Sequence, residues 1–270
     1  MIPLADARVT LAPLTRFDIG ALAAAIVAYI AVRLRLLTAG GALAAFAIGT
    51  ATYGALGPPG AAVLLAFFVT SAVLSRVGRS VKRTLVDAGK AGARDAAQVL
   101  ANGGIAAACA LCALGGDVRF VAAFAGAFAA ANADTWGTEI GTLARRQPRS
   151  LLTLRPVATG ISGGVTLAGT LAEIAGAATV AASAALLSAH VVWPALAGGV
   201  AGALADSAIG ASLQALRWCP QCRRACETDP HACGANTSLV RGASWIGNDA
   251  VNAFATATGA AVAFALANLR

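Results

Sequence analysis

The sequence predicts an all-α fold, a polytopic transmembrane helix bundle of about eight spans. Three observations carry that reading: 58% of the 270 residues are hydrophobic, only 12% are charged, and the charges fall in short basic clusters between long apolar runs. A soluble domain of this size is about 25% charged, whereas long apolar runs with basic punctuation suit a chain solvated by lipid. Alanine and 30 glycines dominate while aromatics are only 6%, so helix backbones are expected to approach closely. One integral membrane domain over 1–270 follows, because no hydrophilic stretch is long enough to bury a second core. Nucleic acid is excluded as a partner on the same ground, since nothing outside the membrane is large enough to read it. No small-residue cleavage site follows the first apolar run, which therefore reads as a retained helix.

The spans lie near 19–37, 40–57, 59–76, 96–114, 118–143, 163–187, 190–214 and 248–268, each near the length a bilayer core requires. The turn Gly57-Pro58-Pro59-Gly60 separates the second from the third. A short stretch around His190 divides the sixth from the seventh. The connections then sort by charge. Arg33 and Arg35 flank the first; the third carries Arg76, Arg79, Lys82, Arg83, Lys90 and Arg94 against Asp87 and Asp95. The fifth carries Arg145, Arg146, Arg149 and Arg155, and the seventh Arg217, Arg223, Arg224 and Arg241 against Glu227 and Asp229. Even connections hold little beyond Asp117 with Arg119. The positive-inside rule puts every odd connection in the cytoplasm and both termini outside.

Ionisable groups inside spans are costly and are functional candidates. The fifth span descends to the cytoplasm past Asn132, Asp134, Thr135 and Glu139, and the seventh ends near Asp206 and Ser207. The eighth rises from Asn248, Asp249 and Asn252, and the fourth rises past Arg94, Gln98 and Asn102. Four helices thus bring carboxylates and amides to one depth on one side. Asp134, Glu139, Asp206 and Asp249 would repel one another without a cation among them. Oxygen-only donors suit Mg²⁺, which bridges carboxylates to substrate phosphates. Lys90 and Arg94 are placed to hold such phosphates. The alternative is that each acid pairs with a loop arginine or caps a helix. Glu173, isolated near mid-span, fits either a buried hydrogen-bonding group or a proton site.

Two loop motifs remain. Thr159-Gly160-Ile161-Ser162-Gly163-Gly164-Val165 stands where the sixth span begins. Its Ser162, Gly163 and Gly164 amides form either a phosphate cradle or a close helix contact. In the cytoplasmic loop 215–247, Cys219-x2-Cys222 and His231-x-Cys233 surround Cys226. In a reducing compartment that spacing suits a structural Zn²⁺, with unligated thiols as the alternative. Cys109 and Cys112 have the same spacing inside a span, where they read as small packing residues.

Four blocks carry a resemblance: Gly92-Ala93-Arg94-Asp95-Ala96-Ala97-Gln98-Val99-Leu100-Ala101-Asn102-Gly103, Ala131-Asn132-Ala133-Asp134-Thr135-Trp136-Gly137-Thr138-Glu139-Ile140-Gly141, Ala205-Asp206-Ser207-Ala208-Ile209-Gly210-Ala211 and Gly247-Asn248-Asp249-Ala250-Val251-Asn252. Over roughly residues 20–265 the chain resembles the integral membrane family that includes the plant phytyl-phosphate kinase, and is distantly similar to dolichol kinases and CTP-dependent lipid cytidylyltransferases. The Cys/His loop matches too, with Glu227, His231 and Cys233 in the expected order. One departure is Gly160-Ile161, where the family tends to have Gly-Thr before the Gly-Gly pair.

The resemblance implies phosphoryl transfer from a nucleoside triphosphate, CTP before ATP, to an isoprenoid alcohol or phosphate. Asp134, Glu139, Asp206 and Asp249 are then the catalytic and Mg²⁺-binding set. The other reading is a transporter or flippase for a phosphorylated lipid or small anion.

Overall fold

The computed structural model describes residues 13–78, 92–144 and 146–268. Seven long helices make the bundle: α1 (Pro13–Arg33), α2 (Ala39–Leu74), α3 (Ala96–Cys112), α4 (Val118–Gly141), α5 (Leu167–Ala184), α6 (Val192–Ser212) and α7 (Asn248–Leu266). Among the described residues, six helical segments are long and apolar enough to cross a membrane by length and composition. The segment left out is α4, which carries Arg119, Asp134 and Glu139.

Eight separate spans were expected, and α2 accounts for the difference. It contains both 40–57 and 59–76, with Gly57 at φ 63° and ψ −157° inside it. Straight, its 36 residues would reach about 54 Å. Instead the second arm returns: the Arg76 guanidinium donates to the Leu34 carbonyl at 3.3 Å. Only a glycine takes that φ readily, and two prolines after it cannot donate to the preceding turn. The break therefore makes α2 a hairpin of two arms.

Helix α4 is the axis of the bundle. It packs against α2, α3, α5, α6 and α7, and every residue from Ala122 to Ala133 is buried. A helix apolar all round has no lipid-facing side to keep. Small residues set how near its neighbours come. A Cβ added at Gly126 would stand 2.5 Å from the Gly259 carbonyl of α7, and one at Gly198 of α6 would strike the same oxygen. Large apolar side chains such as Leu22, Ile26, Leu43, Leu171 and Trp193 lie exposed on the outside, as they can where the solvent is hydrocarbon.

The all-α expectation needs one correction. Two small antiparallel sheets stand in the connections: β1 (Arg149–Ser150) with β2 (Gly164–Val165), and β3 (Leu216–Cys219) flanked by β4 (Arg224–Cys226) and β5 (Ser238–Arg241). Both serve to hold loops whose backbone would otherwise lack partners. The sixth span was expected from 163, but β2 takes Gly164 and Val165. Thr166 then caps α5, its hydroxyl accepting from the Gly169 amide at 3.0 Å.

Candidate active site at one end of the bundle

The first and third connections are stitched together at the backbone. The Arg94 amide donates to the Leu36 carbonyl at 2.9 Å, and the Thr38 amide donates to the Arg94 carbonyl at 3.0 Å. Gly41 makes this possible, because a Cβ there would collide with the Arg94 carbonyl. Asp95 then caps α3 by accepting from the Gln98 amide at 3.0 Å. Gln98 and Asn102, one turn apart, share a face, and the Asn102 amide group donates to the Gln98 carbonyl at 2.9 Å. Arg94 is thus fixed at the entrance of α3 with two amides above it.

These groups open on a polar cavity of about 340 Å³. Its wall takes Arg94, Gln98 and Asn102 from the α3 side, Asp134, Thr135 and Glu139 from α4, and Asp206 and Ser207 from α6. Asn248 and Asn252 of α7 and the Ser162, Gly163 and Gly164 segment complete it. Thirteen residues named from sequence therefore meet at one site. Three do not. Lys90 lies outside the described residues. Asp249 is not in the cavity wall; it occupies the first turn of α7, where a negative charge favours the helix dipole.

Asn132 is the third, and it is fully buried. Its side-chain oxygen accepts from Thr70 Oγ1 at 2.9 Å and Ser71 Oγ at 3.3 Å, and its Nδ2 donates to the Gly176 carbonyl at 2.8 Å. It ties α4 to α2 and α5. The hydrogen bonds explain why an amide sits there without any contact to the cavity.

The cavity also takes in groups that sequence reasoning left aside. Arg35 and Arg76 join Arg94, and Glu173 of α5 joins the acids. Glu173 lies against Gly137, where an added Cβ would be 2.5 Å from its Cγ. Gly137 is three residues after Asp134, so Glu173 is brought to the Asp134 region by a glycine-sized gap in α4. An acid in an otherwise apolar span was the one available signal. Among the described lining residues, Asp134, Glu139, Glu173 and Asp206 thus face Arg35, Arg76 and Arg94. Burial lowers the Arg94 pKa, while Glu139 and Asp134 raise it; an arginine so placed remains charged.

The glycine-rich segment is a separate loop rather than a helix start. Gly160 and Gly163 have φ of 89° and 79°. Gly163 approaches α6 so nearly that a Cβ would overlap the Ala211 amide. The Ser162 amide donates to Glu227 Oε1 at 2.6 Å, and its hydroxyl donates to Oε2 at 3.0 Å. The amide expected to receive a phosphate here receives a carboxylate from the Cys/His loop.

In that loop Cys219, Cys222, His231 and Cys233 present ligand atoms all within 4.8 Å of one another. Cys226 stands apart, its thiol directed to the Arg217 and Thr228 carbonyls at 3.8 Å each. A hydrogen bond with His231 draws the Cys233 thiol down to about 6. Cys109 and Cys112 belong to α3 and to no such cluster among the described residues.

A second, apolar cavity of about 130 Å³ lies between α1 and the two arms of α2, lined by residues such as Ala24, Val27, Ala45, Ile48 and Leu64. It meets the polar cavity at Phe68, Arg94, Gln98 and Asn102, which line both.

Comparison with known proteins agrees that the chain is an integral membrane protein. The chain is 33% identical over 237 residues to Protein PGR of Arabidopsis thaliana, covering 77% of this chain and 82% of that one. It is 36% identical over 152 residues to an uncharacterized membrane protein of Methanocaldococcus jannaschii, covering 55% and 63%. An uncharacterized membrane protein of Synechocystis sp. is 28% identical over 241 residues, covering 86% and 83%. No solved structure matches. The sequence pattern of the family described as integral membrane protein DUF92 matches residues 22–260, the segment that forms nearly all of the bundle and both cavities, and the chain belongs to that family.

Proposed function

We propose that the chain transfers a phosphoryl group from a nucleoside triphosphate, CTP before ATP, to an isoprenoid phosphate or alcohol. In this reading the chain crosses the membrane eight times, the arms of α2 counting separately, with both termini outside. The polar cavity then faces the cytoplasm, as the basic odd connections require. The observation that carries the reading is the shared wall between a polar cavity rich in acids and arginines and an apolar one. An amphiphile with an anionic head and a hydrocarbon tail has that division of chemistry.

The residues divide the work as follows. Arg35, Arg76 and Arg94 hold phosphate oxygens, guanidinium being suited to paired oxygens. Asp134, Glu139 and Asp206 supply the oxygen donors that fit Mg²⁺, with arginines opposite to balance the phosphates. Bound there, Mg²⁺ would neutralise charge on the nucleotide phosphates. Asp249, away from the cavity, has no part in this set. Gln98, Asn102, Asn248, Asn252, Thr135 and Ser207 orient the polar groups of both substrates. Phosphoryl transfer is mostly positioning and electrostatics, so such a site needs no covalent intermediate. For a phosphate acceptor no base is required; for an alcohol, Asp134 takes the proton. The first part of the tail occupies the apolar cavity, and the remainder lies in the bilayer.

The test uses detergent-purified protein, Mg²⁺, each γ-labelled nucleotide in turn, and a panel of prenyl alcohols and monophosphates. Mg²⁺-dependent movement of label to lipid establishes the activity and identifies donor and acceptor together. Binding of labelled lipid phosphate without transfer from any donor would replace the kinase with the transporter or flippase reading.

A further inference from the structure

We propose that Cys219, Cys222, His231 and Cys233 bind a zinc ion, and that Glu227 couples this metal knuckle to the glycine-rich wall of the polar cavity. The ligand geometry comes first. The Cys219 and Cys233 sulfurs are 3.6 Å apart, against the ~3.8 Å of two sulfurs on one tetrahedral zinc with Zn–S bonds of about 2.3 Å. His231 Nδ1 is 3.1 Å from the Cys233 sulfur. The Cys222 amide donates to the Cys219 sulfur at 3.4 Å, which turns the C-x2-C segment so that both thiols face one point. Cys219 and His231 are buried while Cys222 and Cys233 are exposed, so the site has a closed side and an entry.

The fold around the cluster needs such a tie. Strands β3, β4 and β5 hold only 4, 3 and 4 residues, and a sheet this small lacks the apolar area to stand alone. Glu227 directly follows β4, so its position depends on the knuckle being closed. Its carboxylate takes two hydrogen bonds from Ser162 and a third, 2.9 Å long, from the buried Gln214 side chain. Ser162 in turn abuts Gly210 of α6, where an added Cβ would lie 3.1 Å from its Cβ. Opening the knuckle withdraws the carboxylate and frees Ser162, while the pairing of β1 with β2 still holds Gly164 and Val165. The metal therefore sets the shape of the cavity wall from outside the membrane.

The proposal concerns the cavity wall and does not require the phosphoryl-transfer reading. Its test measures zinc by mass spectrometry in detergent-purified full-length protein, then hydrogen exchange before and after chelation. We expect a single zinc per chain. Chelation should speed exchange at the Ser162 amide about tenfold, the loss of one charge-assisted hydrogen bond, while α4 stays protected. Glu227→Ala should keep the zinc yet show the same faster exchange at Ser162, since it removes the acceptor. Cys222→Ser should lose the zinc; should it fail to fold, chelated wild type and Glu227→Ala decide. Protein that takes up no zinc even when zinc is supplied, or unchanged Ser162 exchange after its removal, overturns the proposal. Zinc-coupled exchange in a protein without kinase activity would overturn only the function proposed above.

Discussion

Replacing Asn132 by alanine tests whether this residue serves the fold or the substrate. The structure gives it three hydrogen bonds, from Thr70, from Ser71 and to the Gly176 carbonyl, in a fully buried place. Side-chain hydrogen bonds between membrane helices average about 0.6 kcal/mol each, so the three together contribute about 2 kcal/mol. Part of the loss is softened, because Thr70 keeps its bond to the Ala66 carbonyl at 2.7 Å. The small void left behind adds about 1 kcal/mol. Unfolding in a graded mixture of dodecyl sulfate and mild detergent should then show Asn132→Ala destabilised by about 2–3 kcal/mol, a 30- to 150-fold change in the folding equilibrium by the usual ~1.4 kcal/mol per decade. A cycle with Thr70→Val should show coupling, since the two side chains touch. Under conditions where the variant is folded, its affinity for labelled lipid phosphate should match wild type. A loss below about 0.5 kcal/mol together with weakened ligand binding would refute the structural role and return Asn132 to the site.

The cavity acids should separate from the acid outside it. Asp134→Asn and Asp206→Asn are each expected to lower phosphoryl transfer by about 100-fold or more with thermal stability unchanged, while Asp249→Asn keeps activity within about threefold, all read by label transfer. Filling the apolar cavity with Ala45→Leu should raise the KM for the isoprenoid acceptor and leave the nucleotide KM alone, since Ala45 lines only that cavity. Gly126→Val should destabilise the bundle by about 1–3 kcal/mol through overpacking, because its Cβ alone already meets the Gly259 carbonyl; unfolding in mixed detergent measures it.

What could be read from sequence had a long-range chemical signature. Acids and amides in apolar runs cost too much to stand without a reason, and the alternating basic loops argued which helix ends share a side; with the glycine-rich motif at 159–165, these named thirteen of the cavity residues. Asn132 and Asp249 were misplaced because a position near the end of a span does not say which way a side chain turns. Asn132 turns into α2 and α5, and Asp249 lies off the cavity. Arg35 and Arg76 read only as topology signals: the turn at Gly57–Gly60 puts both on one side of the bundle, but nothing local says that they enter the same cavity. The contact of Glu227 with Ser162 joins loops 65 residues apart in sequence, beyond any periodicity. The small sheets escaped for a similar reason: strands of two to four residues are set by their pairing partner rather than by their own pattern.

The wall of the polar cavity draws on Leu34 before α2 and on Asn252 within α7, nearly the whole length of the chain. A chain made from its N-terminus places α1 to α6 first. Until α7 arrives, Asp134, Glu139 and Asp206 stand in a groove open along one flank, with Asn248 and Asn252 still missing. The nascent protein therefore spends the end of its synthesis with charges it cannot yet enclose. The last helix acts as a closing stave: a chain cut short before residue 248 would keep most of its hydrophobic bulk, yet its site would lack Asn248 and Asn252 and leave a polar flank exposed for quality control to recognise.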